Sequence, residues 1–172
     1  ITIREVPDVM KQAILAAEDE RFYQHGGVDY LSIARAALTN LASGTQQGAG
    51  TITMQVARNF FLTREKTVTR KLREVLLAWK IEANLSKDEI LELYVNQIFL
   101  GQRSYGFAAA SQIYFAKPLR DINAAEAAML EGILTGAAMQ SLQDLFSGGE
   151  RAGRLVDTAL ALQIGEATAL LS

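Results

Sequence analysis

The chain has 172 residues, 49% hydrophobic and 21% charged, enough apolar material for one domain with a sizeable core and too much for a disordered chain. With no cysteine it can form neither a disulfide nor a thiolate metal site, which leaves the compartment open. The net charge of −2 is uneven: Arg58 to Lys80 holds seven basic and two acidic residues, a local +5 against −7 elsewhere, so an anionic phosphate or lipid headgroup suits that stretch and nucleic acid is a poor candidate.

Two prolines, few aromatics and abundant Ala, Leu and Glu, without period-two alternation, predict an all-α fold. Ile1 to Val6 reads as an extended lead-in. Pro7-Asp8 opens a helix with Val9, Met10, Ala13, Ile14 and Ala17 on one face, ended by Glu18-Asp19-Glu20. Helix-end dipole and carboxylate crowding disfavour a bare charge at Glu18, which suits a general acid or base; the alternative is a solvated helix end. Phe22, the only histidine (His25) and Gly26-Gly27 follow. Asp29 is a good N-cap for a second helix whose Leu31, Ile33, Ala34, Ala37, Leu38 and Leu41 should face inward.

Ser43 to Gly50 reads as a mobile, glycine-rich loop. Thr51-Ile52-Thr53-Met54-Gln55 starts the third helix from it, and free N–H groups with two hydroxyls there could hold a phosphate, although ordinary caps look the same. A fourth helix is predicted from about Val68 to Glu82, with Val68, Leu72, Val75, Leu76 and Trp79 as its apolar stripe. Arg70 and Glu74 lie opposite with Lys71 on the flank, either a surface ion pair or a second site carboxylate with attendant cations. Ser86-Lys87-Asp88-Glu89 is a capping box. Further helices are expected from Gly106 to about Lys117-Pro118 and from Asn123-Ala124-Ala125-Glu126 to about Leu134.

Five stretches occur in one order: EDERFYQHGGVD from Glu18, GAGTITMQVARN from Gly48, RKLREVLLA from Arg70, KDEILELYVN from Lys87 and GQRSYGFAAA from Gly101. Together they resemble the peptidoglycan glycosyltransferase domain of class A penicillin-binding proteins and monofunctional transglycosylases, the family-51 glycosyltransferases. The resemblance implies a lysozyme-like helical head with a small membrane-facing jaw, roughly residues 41–68, within a catalytic core of residues 1–134. It implies polymerisation of lipid II with inversion at the anomeric carbon and release of polyprenyl pyrophosphate. By resemblance, Glu18 is the base that deprotonates the acceptor sugar's 4-hydroxyl. Glu74 is the second glutamate, assisting the leaving pyrophosphate directly or by holding Mg²⁺ or Mn²⁺; no organic cofactor is implied. Arg58, Arg70 and Lys71 surround the pyrophosphate. Asp19, Phe22 and His25 shape the first motif, and Thr51, Thr53, Gln55 and Asn59 belong to the second.

Gly50 and Met54 stand where the family usually has serine and glutamine, so two donors near the substrate are expected to be missing. After Glu126-Ala127-Ala128-Met129-Leu130 the family's Leu-Pro-x-Ala-Pro-Ser segment is absent, and residues 135–172 read as a different helical closing segment. The expected setting is the extracytoplasmic face of a bacterial inner membrane, with the growing glycan strand, the membrane surface and a transpeptidase domain of the parent chain as partners. No run of about 18 apolar residues could span a bilayer and no signal peptide opens the chain, so an anchor is expected outside this sequence. The rivals are a non-catalytic module binding lipid pyrophosphates and, with less support, a lysozyme-like lytic transglycosylase, which has no need of the basic stretch.

Overall fold

A computed structural model describes residues 1–43, 50–61 and 68–134. Its regular elements are all helical: α1 (Asp8–Glu18), α2 (Tyr30–Ser43), α3 (Ile52–Phe61), α4 (Val68–Glu82), α5 (Lys87–Gln97), α6 (Phe107–Phe115) and α7 (Ala124–Leu134). Short 3₁₀ turns occupy Ile3–Glu5, Phe22–Gln24 and Leu119–Asp121, the first lying where an extended lead-in is expected. The expected closing segment from residue 135, most of the Ser43 to Gly50 loop, and Leu62 lie outside the described residues.

Local chemistry accounts for the boundaries. Asp29 caps α2, accepting the N–H groups of Leu31 and Ser32 at 3.1 Å each. α5 starts at the expected capping box, where Ser86 N–H donates to Glu89 Oε2 (2.7 Å) and Glu89 N–H to Ser86 Oγ (3.3 Å). α7 repeats the device with Asn123 and Glu126 at 2.9 Å in both directions. Such caps contribute about 1 kcal/mol each. α6 closes on Ala116 in the left-handed region, φ 53°, just before Lys117-Pro118.

The chain divides into two compact units, Ile1–Ala17 with the chain from Asn96, and Glu18–Val95. In the first, Met10 and Ile14 of α1, Phe107 and Ala110 of α6, and Leu130 of α7 are fully buried. In the second, α3 packs on α4, and Val28, Met54 and Ala78 form a core cluster with Val75 against it.

Two apolar stripes do not face where periodicity alone would send them. None of α2's described side chains is buried, and Leu41 is 88% exposed, against the expectation that Leu31, Ile33, Leu38 and Leu41 turn inward. On α4, Leu72 and Leu76 are exposed and Trp79 is 45% exposed, while Glu74 is 1% exposed and Ala78 fully buried. Periodicity identifies a face of like residues, but the cover for that face comes from distant segments.

Candidate active site

The Glu18–Val95 unit carries every site residue singled out in the sequence. At the end of α1, Glu18 Oε2 accepts a hydrogen bond from Gln55 Nε2 of α3. Asp19, next along, is buried and turned to the scaffold: Oδ1 pairs with His25 Nε2 (2.8 Å) and Oδ2 accepts the Ile52 N–H (3.1 Å) that opens α3. His25 stands edge-on to the fully buried Phe22 ring, with centroids 6.4 Å apart. Asp19, Phe22 and His25 therefore fix the first motif onto the start of α3 and leave Glu18 as its half-buried carboxylate.

Arg21 and Asp29 brace the same turn. Arg21 Nε donates to Asp29 Oδ2 (3.1 Å), and Ser32 Oγ donates to the same oxygen (2.7 Å). Burial pushes the Asp29 carboxyl up, but hydrogen bonds from Ser32 and the Arg21 guanidinium outweigh it and hold the group well below the usual carboxylate range. Ligand atoms of Asp19, His25 and Asp29 lie within 4.8 Å of one another. A cation there would have to displace the Arg21 guanidinium and the Ile52 N–H, so this donor set does not fit a metal.

The second-motif threonine hydroxyls are engaged within the protein. Thr51 Oγ1 donates to the Gly27 carbonyl (2.6 Å) and accepts the Met54 N–H (3.1 Å), and Thr53 Oγ1 donates to Glu82 Oε1 (2.6 Å). Both residues are buried. With Ile52 N–H on Asp19, the first turn of α3 has most of its donors engaged within the protein, the ordinary-cap alternative to a phosphate seat. Met54 lies in the core beside Val28 and Ala78, so the side chain at 54 is turned into the protein. Gly50 differs: a Cβ placed on it would lie 3.9 Å from Lys71 Nζ, so a side chain there would adjoin the cations. Arg58 is half-buried and Asn59 exposed in the last turns of α3.

Glu74 is held from its own helix, by Arg70 Nη1 at 2.9 Å and Lys71 Nζ at 3.0 Å. The Lys71 side chain is half exposed, so its ammonium both pairs with Glu74 and meets solvent. The arrangement is a buried carboxylate carrying two cations, one of them open to an incoming anion. A divalent metal on Glu74 would compete with both cations, and among the described residues no group of three or more His, Cys, Asp or Glu ligands includes Glu74; the residues do not fit a resident ion.

Gly27, Glu82 and Lys87 are the supporting residues that sequence reasoning missed. Gly27 has φ +91°, and a Cβ on it would lie 3.1 Å from the Ala78 carbonyl; the Gly-Gly pair was the visible signal. Nothing local in sequence links Glu82 to Thr53.

The family model described as "Transglycosylase" matches residues 1–158. Penicillin-binding protein 1A of Neisseria gonorrhoeae is 63% identical over 132 residues, which are 76% of this chain and 16% of that protein. The corresponding protein of Neisseria lactamica is 62% identical over 132 residues, again 76% and 16% of the two chains. A transglycosylase of Cupriavidus necator is 56% identical over 133 residues, 77% of this chain and 58% of that one. The chain thus spans about a sixth of the length of the penicillin-binding relatives. The motif order, the all-helical fold of the described residues and a family match over nearly the whole chain agree, and the chain belongs to the transglycosylase family, the family-51 glycosyltransferases.

Proposed function

We propose that this domain polymerises lipid II into glycan strands. The observation that carries the reading is the pairing, in one unit, of Glu18 on a neutral amide donor with a buried Glu74 that carries Arg70 and Lys71. In this mechanism Glu18 takes the proton from the acceptor's 4-hydroxyl as that oxygen attacks the anomeric carbon. The bond to the pyrophosphate oxygen breaks, the centre inverts, and polyprenyl pyrophosphate leaves with its charge met by Lys71 and Arg70. Glu74 orients the two cations. A divalent cation, where one takes part, comes with the pyrophosphate rather than from a protein carboxylate set.

The lipid tail of such a substrate supports a reaction at a membrane surface, and the proposed face is the extracytoplasmic one of a bacterial inner membrane. Among the described residues no helix is long and apolar enough to cross a bilayer. Exposed Leu38 and Leu41 of α2, Phe60 and Phe61 of α3, and Leu72, Leu76 and Trp79 of α4 supply apolar contact instead. The length of the penicillin-binding relatives supports a parent chain with further regions, a transpeptidase domain among them.

Incubation with labelled lipid II, followed by sizing of the products, tests the reading. Elongated glycan is expected; shortened glycan would point to a lytic enzyme, and bound but unconsumed lipid II to a binding module.

A further inference from the structure

Glu74, Ala78 and Glu82 follow one another at four-residue steps along α4, so they share one face of the helix. Glu74 carries the site cations. Ala78, fully buried, is small enough for the Gly27 turn to lie against the helix. Glu82 then gathers three separate segments. A Cβ on Gly27 would lie 3.1 Å from Glu82 Cγ, so the first-motif turn rests on its stem. Its Oε1 accepts from Thr53 Oγ1 of α3 at 2.6 Å and from Lys87 Nζ of α5 at 2.7 Å. The same ammonium stands 4.3 Å from the centroid of the Phe22 ring, which ties it back to the first motif.

We propose that Glu82 is a positioning residue for the transfer reaction: it holds α3 against α4 so that Gln55 stays on the Glu18 carboxylate. This rests on the glycosyltransferase reading above. The path is short, since Thr53 and Gln55 lie in the same turn of α3 and Gln55 Nε2 donates to Glu18 Oε2. With side-chain exposures of 19% for Lys87 and 11% for Glu82, the pair is shielded from water. The Thr53 hydroxyl is fully buried. Removing the Glu82 carboxylate therefore leaves shielded donors without their acceptor, and the Thr53 side of α3 loses its tie to α4 and α5.

The test uses Glu82→Leu, which removes the acceptor, Thr53→Val and the conservative Thr53→Ser in the full chain. In a lipid II polymerisation assay, Glu82→Leu and Thr53→Val lower kcat about ten- to a hundred-fold while KM stays within about two-fold, as expected of a misplaced catalytic group. Thr53→Ser keeps the hydroxyl and restores most of the loss. Without substrate, the ¹⁵N side-chain amide resonance of Gln55 shifts in Glu82→Leu and Thr53→Val and returns in Thr53→Ser. Folded variants with wild-type kcat, or a lower kcat with an unmoved Gln55 resonance, overturn the proposal. If the wild type itself makes no polymer, the glycosyltransferase reading fails, and the Gln55 resonance still decides whether Glu82 positions that side chain.

Discussion

Glu18 meets one neutral partner, the Gln55 amide, whereas Glu74 meets two cations from its own helix at 2.9 and 3.0 Å. Their supports differ in the same way. The Glu18 turn is fastened by contacts from far along the chain: Ile52 N–H on Asp19 and Thr51 on the Gly27 carbonyl. The Glu74 cluster lies within two turns of α4 and repeats an ordinary i, i+3 and i, i+4 pattern. In the mechanism proposed above, the group that accepts the proton is left with a partner that contributes no charge, and the group that arranges cations sits among them.

The largest effect should come from removing the proposed proton acceptor. Glu18→Gln keeps the shape and is expected to lower turnover by about 10²–10⁴-fold with an unchanged melting temperature. A variant that keeps most of its turnover in the polymerisation assay would remove Glu18 from the base role and break the contrast with Glu74.

The two glycines beside the first motif sharpen the contrast between the supports. Gly27→Ala meets the α4 backbone at 3.1 Å and a φ of +91°, and should lower stability by about 1–3 kcal/mol in urea unfolding. Gly26→Ala finds nothing within 4 Å and should stay within about 0.5 kcal/mol of wild type. Equal midpoints for the two would mean that the Gly27 turn is not clamped on α4.

The same support should be acid-sensitive. Folding lowers the Asp29 carboxyl, because bonds from Ser32 and Arg21 outweigh the upward push of burial. The unfolded chain therefore takes up this proton first as pH falls, near an unperturbed value of about 3.9. Stability from Asp29 is complete above that value and is lost as pH drops through the folded one. The gap in melting temperature between wild type and Asp29→Asn should accordingly be widest near neutrality and shrink in acid; a constant gap would deny Asp29 this role.

The smallest effect concerns the surface. Phe61, 62% exposed, and Trp79 offer apolar contact in the unit that carries both carboxylates. Phe61→Ser and Trp79→Ser should each reduce co-flotation with anionic vesicles several-fold. Equal flotation of folded variants would take these side chains out of the membrane account.

Much of this was legible in the sequence because it is local. The bounds of α4, the caps at Asp29, Ser86 and Asn123, and the Arg70, Lys71 and Glu74 cluster all follow from helical spacing and side-chain reach. What was not legible depends on distant partners. The Thr51 hydroxyl finds its acceptor 24 residues away and the Thr53 hydroxyl 29 residues away, so both looked free. The α4 face was inverted for the same reason: Trp79 has the greater hydrophobicity, but Gly27 and Met54 pack on the side that carries Ala78.

Equilibrium binding of lipid II by Glu18→Gln and Glu74→Gln, measured side by side, tests the division of roles most directly. The expected result is near wild-type affinity for Glu18→Gln, which keeps both cations in place, and clearly weaker binding for Glu74→Gln, whose Arg70 and Lys71 lose their common partner. Added Mg²⁺ or Mn²⁺ should not restore the second variant. The reverse pattern, with binding lost in Glu18→Gln and kept in Glu74→Gln, would contradict the assignment of proton transfer to one carboxylate and pyrophosphate neutralisation to the cations held by the other.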